Sequence, residues 1–99
     1  MGNKVVTINW ADKTYTCELA PVIMKDGGLD CHRGAIKDLD MIIEYEPGSP
    51  YGDPYPWSIW MDSSQLNEAI FLEGSTLQDT VDRMYFQLDR IRDYLNEIL

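Results

Sequence analysis

The sequence predicts an α+β domain: a four- to five-stranded antiparallel sheet built from hairpins, with one long C-terminal amphipathic helix packed on one face. Three patterns predict it. Short stretches before residue 74 alternate apolar and polar side chains with period 2. Glycine and proline turn signals separate those stretches. The last quarter of the chain carries an unbroken apolar stripe at helical spacing. With 99 residues, 44 % of them hydrophobic and 11 % aromatic, the chain is expected to form one domain with a single core, residues 4–74 supplying strands and loops and 75–98 the helix.

The first strand is read from Lys4 to Trp10, where β-branched residues alternate and put Val6, Ile8 and Trp10 on one face. Ala11-Asp12-Lys13 fits a short hairpin loop, and Thr14 to Leu19 alternates again with Tyr15, Cys17 and Leu19 inward. Pro21 is expected to interrupt the ladder, leaving Val22-Ile23-Met24 as an edge continuation at best, ahead of a turn at Lys25-Asp26-Gly27-Gly28. Residues 29–39 read as irregular: Leu29 to His32 is long enough only for a short strand, Gly34 to Leu39 only for a helical turn.

Strand character resumes at Asp40 to Glu46, with Met41, Ile43 and Tyr45 on one face, and at Trp57 to Asp62, with Trp57, Ile59 and Met61 on one face. These two are expected to pair. The loop between them, 47–56, holds four of the five prolines and is expected to project from the domain. Ala69 to Leu72 reads as a possible last strand before Gly74. Ser75 stands where an N-cap is expected, with Gln78 three residues on in a capping-box pattern. Leu77, Val81, Met84, Leu88, Ile91, Leu95 and Ile98 then recur at alternating spacings of four and three, a heptad seam. Phe86 lies opposite that seam, one turn from Arg90, and a large aromatic at such a position marks a possible dimer or secondary contact.

Charge carries the functional argument. Seventeen acidic residues against eight basic ones give a net charge of −9, and the excess is regional. Residues 1–37 are balanced at +1, whereas Asp38 to Asp82 holds ten acids and no Lys or Arg. A one-signed surface repels nucleic acid and anionic membranes and steers toward basic partners. No apolar run reaches the roughly 18 residues of a membrane span, and Met1-Gly2-Asn3-Lys4 leads into alternation rather than a signal-peptide core. A cytoplasmic protein is therefore expected, with Cys17 and Cys31 as reduced thiols.

Catalytic and metal signatures are weak. His32 is the only histidine; it adjoins Cys31, but neighbours on an extended backbone point to opposite faces, which argues against a nucleophile and base pair. A structural zinc site needs four ligands, and Cys17, Cys31 and His32 do not supply them. Gly27-Gly28 lacks the Lys-Ser/Thr of a phosphate-binding loop. The expectation is no enzyme, no cofactor and no metal. The outer face of the central hairpin and its loop instead combine carboxylates with aromatics: Glu44, Glu46, Asp53, Tyr55, Trp60 and Asp62. Such a mix suits Lys and Arg side chains, the carboxylates taking the charge and the rings stacking on guanidinium planes.

These residues lead to the expectation of an acidic protein-binding module, without direct nucleic-acid binding, that inhibits a partner by covering its basic nucleic-acid-binding surface. In kind, it resembles small phage or mobile-element inhibitors of host defence, including anti-CRISPR proteins. The alternative is an assembly subunit or homodimer joined through the heptad helix. Gly74-Ser75-Thr76-Leu77-Gln78-Asp79 also resembles the strand-to-helix junction of HicB-type antitoxins, a likeness confined to the last third of the chain, and no function is carried over from it.

Overall fold

The computed structural model describes residues 2–23, 25–27, 29–46, 55–63 and 68–98, with side chains described at all of these except 29, 30, 62, 63, 68, 69 and 91–98. Six strands form one antiparallel sheet in sequence order: β1 (Lys4–Trp10), β2 (Lys13–Ile23), β3 (Leu29–Ile36), β4 (Met41–Tyr45), β5 (Trp57–Ser63) and β6 (Glu68–Gly74). The helix α1 (Leu77–Ile98) follows. It packs on β1, β5 and β6, so both ends of the strand order reach it and the sheet curls around it. No helix among the described residues is long and apolar enough to cross a membrane.

The α+β class agrees with the sequence-based expectation, and the strand number is six rather than four to five. The added strand is β3, and Gly34 explains why alternation did not reveal it. A Cβ at Gly34 would lie 2.5 Å from the Glu18 carbonyl oxygen and 2.9 Å from Leu19 Cδ2, so this strand crosses too close to β2 to carry a side chain there. Pro21 does not end β2 either. Pairing with β1 stops at Leu19, opposite Lys4, and from Ala20 onward β2 is paired with β3. Beyond Leu19 the missing N–H of a proline costs no bond to β1. A 3-10 turn, Lys37–Leu39, connects β3 to β4 and ends at Asp40 in the left-handed conformation, φ 50°.

The β1–β2 turn has only two residues, Ala11 (φ 49°) and Asp12 (φ 66°), both left-handed as a type I′ hairpin turn requires. Alternation then sorts the strands into an inner and an outer face. Ile8, Leu19, Met41, Ile43 and Ile59 are fully buried inside, joined by Val81 and Met84 from the helix. Each such side chain is worth about 1.5–3 kcal/mol of apolar burial. Around them pack Val6, Trp10, Tyr15, Tyr45, Trp57, Ile70, Leu72 and Leu88.

The helix begins one residue later than the capping-box pattern suggests. Thr76, not Ser75, is the cap: its Oγ1 accepts the Asp79 backbone N–H at 3.3 Å. Gln78 is thereby free for another task, and it reaches across to Asn9 on the edge strand β1. At the other edge, Arg83 Nη2 donates to the Glu73 carbonyl at 2.5 Å. Gly74 closes the corner between β6 and α1, where an added Cβ would overlap Thr80 Oγ1.

Candidate functional site

Strand register builds the outer face row by row. Ile42 pairs with Trp60, and Trp60 with Phe71; Ala35 precedes them on β3, giving an apolar row across four strands. The Trp60 and Phe71 rings lie 5.0 Å apart at 41°. Ile42 and Phe71 are 42 % and 44 % exposed, well above what a core position shows. The row beside it is polar: Arg33, Glu44, Ser58 and Glu73. Next to Ile42, the outer surface dips into a shallow depression of about 340 Å³ between Pro21, Val22 and Ala35, with Arg33 on its wall.

Of the six residues singled out by sequence, those that the structure describes are spread along the hairpin. Glu44 and Trp60 lie in neighbouring rows at the centre of the face. Glu46 stands past the end of β4, where its backbone N–H donates to the Pro56 carbonyl at 2.8 Å, and Tyr55 is exposed nearby in sequence. Asp62 pairs with Ala69 on the far side of Met61, so by register it lies at the opposite end of the hairpin from Glu46, roughly 20 Å away. The Asp62 side chain lies outside the described residues, as does Asp53. Phe71 and Glu73 are the additions. Their signal was present in the alternation of Ile70 and Leu72 with Phe71 and Glu73, but a strand of unassigned partner could not be placed on a face.

Glu44 is already occupied. Arg33 Nε and Nη2 both donate to its Oε2, at 2.9 and 2.6 Å, and the Glu44 side chain is 13 % exposed. It orients Arg33 beside the apolar row, while Glu46 and Glu73 remain exposed carboxylates at the margin. A face of this kind has an apolar centre that loses water on contact and an acidic border that selects the sign of the partner's charge.

Other groups are held by the fold. Cys17 is buried on the inner face with Sγ 3.6 Å from the Ala35 carbonyl, and burial pushes its thiol pKa up. Cys31 is buried as well, and a His32 ring nitrogen lies 3.2 Å from the Gly2 carbonyl. Among the described residues no three His, Cys, Asp or Glu side chains are grouped to hold a metal ion. On the helix, Leu77, Val81 and Met84 spend the first half of the heptad seam on the domain's own core, whereas Phe86 is 61 % exposed with the Arg90 guanidinium 5.8 Å over its ring. The side chains of Ile91, Leu95 and Ile98, which continue the seam, lie outside the described residues. Comparison with protein-family models, curated proteins and solved structures finds no match.

Proposed function

We propose that the chain is a protein-binding module whose outer sheet face docks on a basic surface of a partner protein. The observation that carries this reading is the row Ile42, Trp60 and Phe71, in which Ile42 and Phe71 are exposed and Trp60 is half-buried between them, with Glu46 and Glu73 around it, set in a 38–82 stretch that holds no Lys or Arg. Apolar and aromatic side chains supply the desolvated centre that dominates binding energy. The acidic surroundings supply orientation and on-rate toward a cationic partner. Extended to its biological role, the module is a cytoplasmic inhibitor that covers the nucleic-acid-facing surface of its partner, in the manner of phage or mobile-element anti-defence proteins. Its carboxylates stand in for phosphates there. Because Glu44 is neutralised by Arg33, the mimicry falls to Glu46, Glu73 and the acids of the 47–62 segment.

The test is capture from host lysate, followed by binding measurements with the purified partner across a salt series. Three forms are compared: wild type, Glu46→Lys with Glu73→Lys, and Phe71→Ser. Affinity is expected to fall with salt, to drop at least tenfold on charge reversal, and to drop again with Phe71→Ser; nucleic acid should compete. A partner indifferent to both salt and charge reversal refutes the mimicry. A mass well above 11.4 kDa by light scattering, with no salt-dependent partner, favours the assembly-subunit reading instead.

A further inference from the structure

A second concave site lies away from the outer face, where the β1–β2 turn meets α1. Trp10 and Tyr85 meet edge to face at 89° with ring centroids 5.0 Å apart, a T-shaped corner that leaves one ring face open beside the contact. Together with Ala11, Leu88 and Asp89 they line a cavity of about 180 Å³. Tyr85 is 42 % exposed, so its ring is not spent on the core. Asp89 is exposed and makes no ion pair among the described residues, in contrast to Glu44 with Arg33 and Asp79 with Arg83. The short side chain of Ala11, at the left-handed corner of the turn, leaves the mouth open.

We propose that this notch binds an organic cation with a methylated ammonium head. The ring face left open at the T-shaped corner attracts positive charge, Leu88 and the aromatic corner offer apolar contact to methyl groups, and the Asp89 carboxylate balances the charge at the rim. A plain ammonium ion is strongly hydrated and loses more water on entering such a site than a methylated one, whose charge is already shielded by carbon. The same attraction operates elsewhere among the described residues: Lys4 Nζ sits 5.0 Å over the Tyr45 ring, and the Arg90 guanidinium lies over Phe86. The charged neighbours are mixed. Asp12 belongs to the turn, Asp82 lies one helical turn before Tyr85 and accepts from Gln78, and Arg90 is held on Phe86. Lys13 is the cross-strand partner of Trp10 and the basic residue that competes by register. Either a free small molecule or a methylated lysine of a protein can present the required head.

The experiment is an NMR titration of isotope-labelled protein with tetramethylammonium chloride, with sodium chloride at matched ionic strength as reference. Saturable shifts are expected at the Trp10 indole N–H and the amides of Ala11, Tyr85, Leu88 and Asp89. Ammonium chloride should bind about tenfold more weakly, and Tyr85→Leu and Asp89→Asn should each weaken binding by about three- to tenfold. Tyr85→Phe keeps the ring and should keep the binding, while Lys13→Ala should strengthen it. Both Tyr85 and Asp89 are surface positions, so their variants report on the site with the fold checked by circular dichroism. Choline and a trimethyl-lysine peptide separate the sources: equal affinity assigns a free head group, whereas a tighter peptide with extra shifts along β1 assigns a protein side chain. Shifts that never saturate, that match sodium chloride, or that persist unchanged in Tyr85→Leu overturn the proposal.

Discussion

The Gln78 side-chain amide pairs with both backbone groups of Asn9: its Nε2 donates to the Asn9 carbonyl at 3.1 Å, and its Oε1 accepts the Asn9 N–H at 2.9 Å. One helical side chain thus does what a neighbouring strand would do at that residue, and it covers part of an edge that would otherwise invite another chain. Gln78→Ala removes both bonds. It is expected to lower unfolding free energy by about 1–2 kcal/mol, read as a drop in the urea midpoint. Gln78→Glu, which keeps the acceptor but loses the donor, should be no better.

At the opposite edge, Gly74→Ala drives a methyl into Thr80 Oγ1, which is itself fully buried and donates to the Thr76 carbonyl at 2.7 Å. The expected loss is about 1–3 kcal/mol or more. Thr80→Ala alone should also destabilise, but the double variant should recover part of the Gly74→Ala loss. A double-mutant cycle by chemical denaturation measures that coupling; strictly additive losses would place the strain elsewhere.

The β1–β2 turn offers a gain. Ala11 occupies the left-handed region at φ 49°, where a Cβ is unfavourable, and Asp12 follows at φ 66°. Replacing the pair with Asn-Gly, the preferred type I′ dipeptide, should stabilise the domain by about 1 kcal/mol. In a domain of this size that corresponds to a melting-temperature rise of roughly 4–8 °C, measurable by differential scanning calorimetry.

Cys17 predicts a pH dependence. Burial raises its thiol pKa in the folded state above the value of 9.0 expected for an exposed thiol. The folded chain therefore holds this proton to higher pH than the unfolded chain. The thiol's contribution is complete below the unfolded pKa and is lost as pH rises through the raised folded value. Denaturation followed as pH rises past 9.0 should show stability falling, with a shallower fall in Cys17→Val. Thiol-reactive probes should modify native Cys17 far more slowly than the denatured chain.

How much of this was legible in the sequence depended on period. Ile8, Leu19, Ile43 and Ile59 follow strict alternation, and all four are fully buried. Leu77, Val81 and Met84 follow the heptad spacing and form the helical side of the core. The third strand was not legible, because Gly34 has no side chain to alternate and its requirement comes from the Glu18 carbonyl sixteen residues away in sequence. The cap was misplaced by one residue because Ser75 and Thr76 are both competent, and only geometry shows that the Asp79 N–H points to Thr76. In the candidate face, the composition of β4 and β5 could be read, but the Arg33–Glu44 pair and the Trp60–Phe71 contact are products of register across four strands. The Trp10–Tyr85 notch was out of reach for the same reason: its two walls lie 75 residues apart in sequence.

The helix that seats itself between the first and last strands also sets an order of events. The Asn9–Gln78 bonds join residues 69 apart in sequence, so this part of β1's edge waits for a segment that leaves the ribosome long after β1 itself. Until then the nascent sheet presents an unguarded ladder, and contacts of such long range make closure slow. The helix therefore acts as a lock on β1's edge, and a chain cut before residue 75 is expected to aggregate by strand-to-strand growth from the edge that Gln78 would have sealed.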